Sequence, residues 1–209
     1  MRILKSPFRL SVSVLGVYAG LLSIEHGIFE ILQGNTSTQG LLINAIGHCQ
    51  PENVWHACFP ALTVLPNFLV TGIVAVVLGL SAIVWAVRFT EKSRGMVLLS
   101  ILILAFGGGF VPAFIGMVSG IAAGRRHTVD RRKQAVSQVR CALSQSWGWA
   151  IALLILWFPL SWLAGYFFPL DMLKLSGFFF LFFDLLLPVW VAFSGYTKER
   201  CDVEMERPV

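Results

Sequence analysis

Five long apolar stretches, at about 10–32, 68–89, 96–123, 147–168 and 173–196, leave this chain few ways to fold. A helix needs about 20 apolar residues to cross the hydrocarbon core of a bilayer, and each stretch reaches that length. Lipid offers no partners to backbone N–H and C=O groups, so such stretches must satisfy them internally as helices. The expected fold class is therefore all-α: a polytopic bundle of four or five spanning helices forming one membrane domain over residues 1–209.

Composition supports this where it bears on the question. Only 13% of the residues are charged and 56% are hydrophobic, whereas soluble domains are about a quarter charged. The net charge of +5 does not mark a nucleic-acid partner, because the basic residues collect in short connections between apolar segments. That distribution is what membrane orientation requires. Arg2, Lys5 and Arg9 followed by an apolar run also suit a signal peptide, with Val17-Tyr18-Ala19 as a weak cleavage-like site. The apolar pattern continues to Leu32, however, well past the roughly 7–15 residues of a signal core, so a retained span is expected.

The third stretch is the irregular one. It carries Gly107-Gly108-Gly109-Phe110-Val111-Pro112 at its midpoint, where three glycines and a proline weaken a helix. Each half is then about 18–22 Å long, short of the roughly 30 Å core. Charge decides between a kinked crossing and a re-entrant hairpin. If all five stretches cross, the sixteen Lys and Arg divide seven to nine between the two sides. If the third re-enters, fifteen share one side and only Lys174 lies on the other. Basic residues favour the cytoplasmic face, so the re-entrant arrangement with a cytoplasmic N-terminus is preferred, and five full crossings are the alternative. Gly116, Gly120 and Gly124 should pack the second half closely on a neighbour.

Polar groups inside these stretches are the functional signal, since ionisable side chains at membrane depth are costly and usually have a use or a partner. Ser23 to Asn35 holds Glu25, His26, Glu30 and Gln33. At 100° per residue, Gly16, Gly20, Ser23, Gly27, Glu30 and Gly34 form one stripe, flanked by His26 and Gln33, while Glu25 points to the opposite side. Small residues let another helix approach closely, so His26 and Glu30 should face that contact one turn apart. Asp184 lies among Phe178–Phe183 and Leu185–Leu187 in the fifth stretch. Its expected partners are His26, Glu30, Asn67 or backbone freed at the glycine break, which predicts that the fifth helix turns it toward the His26–Glu30 face. Asn67 itself is placed to cap the second helix.

The loop from about 35 to 66 has no Lys or Arg and is expected outside the cytoplasm. There Cys49 and Cys58 are predicted to form a disulfide, with Cys141 and Cys201 reduced in basic cytoplasmic stretches. His48, Cys49, His56 and Cys58 also have a zinc-like composition, but their spacing matches no usual finger. The basic connector 124–146 reads as an interfacial helix that attracts anionic lipid headgroups.

Gly-x-x-x-x-Gly-Lys-Ser/Thr, His-Glu-x-x-His, Gly-x-Ser-x-Gly and Cys-x-x-Cys motifs are all absent. The residues name no cofactor. The pattern favours a small transporter or channel-like protein in which Glu30, His26, Glu25, Gln33 or Asp184 bind a proton, an ion or a small ligand. An intramembrane metal-dependent or acid–base enzyme, or a lipid-ligand binder, is the second class. A structural subunit that binds a partner or a second copy is the third. The bilayer is the one partner that all three share.

Overall fold

The computed structural model describes residues 6–44, 60–90, 92–129 and 138–205. The chain is mostly helical. Helix α1 spans Pro7–Leu32, and a short antiparallel pair, β1 (Leu42–Asn44) and β2 (Pro60–Leu62), follows it. Then come α2 (Phe68–Arg88), α3 (Ser93–Ala105), α4 (Phe110–Val129) and α5 (Gln138–Ser144). The chain continues through α6 (Trp147–Phe167), α7 (Pro169–Lys174), α8 (Ser176–Phe179), a π-helical segment at Phe180–Leu186, and α9 (Leu187–Met205). Among the described residues four helices are long and apolar enough to cross a membrane: α1, α2, the α5–α6 run and the run from α8 to Glu204.

Local chemistry sets the ends. Ser6 caps α1 by accepting from the Arg9 N–H, with Pro7 in the first turn, where its missing donor costs nothing. The Glu199 carboxylate of α9 accepts from the Ser6 hydroxyl and from the Phe8 N–H, which ties the two chain ends together. Asn67 caps α2 by accepting from the Val70 N–H at 3.2 Å, the role its position predicts.

Helix α1 is the axis of the molecule. It packs antiparallel on α2 through glycines: a Cβ on Gly20 would lie 2.6 Å from the Gly79 carbonyl oxygen, and one on Gly79 equally close to that of Gly20. Gly27 and Gly72 repeat the reciprocal contact one heptad along. Every buried residue of α2 is small: Thr71, Gly72, Ala75, Gly79, Ala82 and Ala86. Backbones approach this closely only when side chains are removed from the seam. Gly34 does not extend the stripe, because α1 ends at Leu32 and Gly34 takes a left-handed turn (φ 79°) with open space around it.

The broken stretch is an antiparallel hairpin, and not one kinked helix. Gly116 faces Ser100, Gly120 faces Val97, and Gly124 faces Ser93, so α4 runs back along α3. The turn is confined to Phe106–Gly109, with φ of 86° at Gly107 and 90° at Gly109, the left-handed region that glycine enters without strain. Pro112 is not part of the break. It sits in the first turn of α4, where proline is tolerated.

One end of the bundle gathers the starts of α1, α3 and α6 and the ends of α2, α4 and α9. The Ser119 hydroxyl donates to Val12 O, the Trp147 indole donates to the Ser11 hydroxyl, and Cys141 is disulfide-bonded to Cys201. This corrects the expectation that Cys141 and Cys201 are unpaired: the end of α9 brings Cys201 against α5, which linear sequence does not reveal. Cys49 and Cys58, with His48 and His56, lie outside the described residues. The opposite end gathers the strands, the hairpin tip and α7. The core between them is built on Leu15, Ile103, Ile115, Leu154 and Val191, all fully buried.

Candidate functional site

The site forms where the hairpin tip meets α1 and α2. Three successive glycines lie over three successive polar positions of α1. A Cβ on Gly108 would meet Ser23 Oγ at 2.7 Å, one on Gly109 would meet His26 Nε2 at 2.6 Å, and one on Gly107 would meet both Glu30 carboxyl oxygens at 2.6 Å. Helix periodicity puts Ser23, His26 and Glu30 on one side of α1, three and four residues apart. The glycines let the tip's backbone lie directly on them.

Each polar group then meets a different fate. Ser23 Oγ donates to Ala75 O across the α1–α2 seam at 3.0 Å. His26 is buried, with Nδ1 3.0 Å from Leu22 O one turn back. A carbonyl can only accept, so Nδ1 carries the hydrogen of the neutral ring and Nε2 is left as the acceptor directed at Gly109. Glu30 is fully buried, and neither carboxyl oxygen has a hydrogen-bond partner of normal geometry. The Thr71 hydroxyl faces it beside Gly107 and interacts with the carboxyl group, and it is also bonded to Thr63 Oγ1 at 2.6 Å.

The tip's own backbone is satisfied from the strand side. The Gly107 N–H donates to Leu62 O at 2.8 Å, and the Val64 N–H donates to Ala105 O at 3.0 Å. The Gly108 N–H turns back to Ile103 O at 2.9 Å. Non-helical backbone in an apolar setting needs such partners.

The other predicted residues lie elsewhere. Gln33 reaches outward, its side-chain amide donating to Asn44 O at 3.3 Å, and so ties the end of α1 to β1. Glu25 is on the far side of α1, where the Trp162 indole of α6 donates to it at 2.6 Å. Asp184 does not reach His26 and Glu30. It joins the Glu25 side, within electrostatic range of Glu25 and Tyr18 and interacting with the Trp157 indole. The reason is geometric: α9 packs on α1 beside α6 and the π-helical segment rests against α4, while α2 and the hairpin tip take the Glu30 side.

Sequence reasoning had no hold on Thr63 and Thr71 as site residues. Thr71 carried a faint signal, a hydroxyl one turn inside an apolar span, but Thr63 comes from the loop and joins only by tertiary pairing. Among the described residues no three His, Cys, Asp or Glu side chains are placed to hold a metal ion together. No protein-family model, curated protein or solved structure matches this chain.

Proposed function

We propose that the protein is a small multi-pass membrane transporter or channel-like protein in which Glu30 binds and releases a small cation. In this reading the four long helices cross the bilayer and the α3–α4 hairpin re-enters it. One observation carries the proposal: a fully buried carboxyl group, with the Thr71 hydroxyl as its one polar neighbour of α2 and no hydrogen bond of normal geometry, is held against the turn of a broken helix. A carboxyl group kept only to lock helices together would have a well-formed hydrogen bond, as Glu25 has from the Trp162 indole, whereas Glu30 faces the Thr71 hydroxyl without one of normal geometry. A buried charge with so few donors around it is costly, so the carboxyl group is held neutral by a proton or compensated by another cation. His26, one turn away, is the second group able to exchange a proton here.

The test is cation flux in vesicles containing purified protein, read beside thermal stability. Glu30→Gln should abolish flux. Glu30→Met, similar in volume and apolar, should leave stability unchanged or raise it by about 1 kcal/mol or more, as replacing an uncompensated buried ionisable group often does. Full flux in Glu30→Gln would end the proposal. A clear loss of stability in Glu30→Met would show instead that the carboxyl group is structural.

We also propose that the end holding the starts of α1 and α3 faces the cytoplasm, with the connector helix against anionic headgroups. Arg94 and Arg125 lie at the same end of the bundle as Arg9, which supports a one-sided distribution of basic residues. The Cys141–Cys201 bridge points the other way, because disulfides persist in oxidising compartments. Cysteines introduced at positions 94 and 125 should both resist a membrane-impermeant reagent in intact cells. Labelling of either one from outside would reverse the orientation.

A further inference from the structure

We propose that the species exchanged at Glu30 is a proton, and that it arrives from the strand side through the paired hydroxyls of Thr63 and Thr71. This rests on the reading of Glu30 as an exchanging site and names what it exchanges and by which route.

Space argues against a larger cation. A Cβ on Gly107 would be 2.6 Å from both Glu30 oxygens and from Thr71 Oγ1, so not even a methyl group fits between the glycine backbone and the carboxyl group. A metal ion with its oxygen ligands would have to displace that backbone. A proton needs only a donor and an acceptor in contact.

The route is a line of hydroxyls. Beside the strands lies a recess of about 320 Å³, lined by Ser37, Thr38, Gln39, Gly40 and Thr63 among others. It has room for several waters at about 30 Å³ each. Thr63 is 1% exposed and its Oγ1 lies 2.6 Å from that of Thr71, which leaves no room for an intervening water or ion. The Leu65 N–H donates to Thr63 Oγ1 at 3.1 Å, fixing that oxygen in place. Thr71, fully buried, faces the carboxyl group of Glu30. From α1, α2, the hairpin tip and the loop, the groups that face Glu30 or lead to it are His26, Thr71, Gly107 and Thr63.

Two hydroxyls in contact can be ordered in two ways. With Thr63 donating to Thr71, the Thr71 hydrogen is left for Glu30. With Thr71 donating to Thr63, the Thr63 hydrogen is left for the recess. A hydronium ion in the recess gives its proton to Thr63 Oγ1 and becomes water. The original Thr63 hydrogen moves to Thr71 Oγ1, and the original Thr71 hydrogen moves to the Glu30 carboxylate. The carboxylate becomes a neutral acid, both threonines end neutral, and rotation of the two hydroxyls resets the line. Each threonine is a positioning and relay residue, and Glu30 is the acceptor.

Infrared spectroscopy of the full-length protein in lipid, transferred from H₂O to D₂O, reads this directly. The carbonyl stretch of a protonated carboxyl group, assigned to Glu30 by its loss in Glu30→Gln, shifts as deuterium enters. Thr63→Val and Thr71→Val keep shape and remove the hydroxyl, so each should slow that shift by about tenfold or more. Thr63→Ser and Thr71→Ser should restore the wild-type rate. Should the valine variants fail to fold, Gly40→Trp serves as the second test. Gly40 is exposed and has open space where a Cβ would go, so a ring there partly closes the recess without touching the bundle. Slowing in Gly40→Trp supports the route. An unchanged exchange rate in the valine variants, or in Gly40→Trp where those do not fold, overturns the route and leaves the site standing. Absence of any carbonyl band that depends on Glu30 overturns the site itself.

Discussion

Helix α1 carries an acid on each of two faces, Glu25 and Glu30, five residues apart, and the two faces are built on opposite plans. Around Glu30 the neighbours are backbone: Gly72 of α2 packs against Gly27, and Gly107 lies on the carboxyl group itself. Around Glu25 the neighbours are large rings. The Trp162 indole donates to the carboxylate, Phe29 stacks on Trp162 with centroids 5.6 Å apart, and Trp157 stacks on Phe183 at 3.8 Å. Rings adapt, and an indole N–H supplies a donor to whatever carboxyl group comes near. Close backbone packing does neither. The aromatic face can therefore accommodate an acid and supply it a well-formed donor, whereas the glycine face encloses one and leaves it only the Thr71 hydroxyl.

If that contrast is right, the glycine seam should tolerate almost nothing. Gly72→Leu drives a side chain into the Gly27 carbonyl and the Ile31 backbone, where even a Cβ would lie 2.6–2.8 Å away. The expected loss is about 3 kcal/mol or more, at the upper end for overpacking, with the α1–α2 pair separating. Denaturation in mixed micelles measures it. A loss below about 1 kcal/mol would mean that the seam adapts as readily as the aromatic face, and the contrast would fail.

The aromatic face should respond far less. Trp162→Phe removes the donor to Glu25 but keeps most of the ring packing, and Asp184→Asn keeps the shape of the side chain while removing its charge. Each should cost roughly 0.5–1.5 kcal/mol, typical of one hydrogen bond, and leave cation flux unchanged. Flux that falls with Asp184→Asn as steeply as with Glu30→Gln would place both faces in one pathway and erase the division of labour.

Part of this was legible before any coordinates. The spacing of Gly16, Gly20, Ser23, Gly27 and Glu30 marks a face by periodicity alone, and Gly107-Gly108-Gly109 marks the break. Nothing in the sequence set one against the other, since contact between residue 30 and residue 107 depends on how a hairpin docks. The small-residue face of α2, from Thr71 through Ala86, has the same helical spacing and was equally available. Asp184 was turned the wrong way for a physical reason. Its surroundings are apolar on every side, so no moment orients the helix, and the π-helical segment at Phe180–Leu186 breaks the 100° step on which the projection relies. Thr63 was invisible because its role comes from a pairing between loop and hairpin that leaves no periodic trace.

That pairing also bears on how the protein is made. Residues 60–64 are synthesised some forty positions ahead of the tip at 106–107, and in the proposed orientation they cross the bilayer first. In that orientation the Leu62 carbonyl and the Val64 N–H, which pair with Gly107 and Ala105, would already be on the far side when α3 and α4 arrive. An isolated hairpin of this kind would carry bare backbone groups into lipid and would tend to slip back out. The exported loop is thus a landing strip laid down before the segment that needs it, and the order of synthesis becomes part of what fixes the topology.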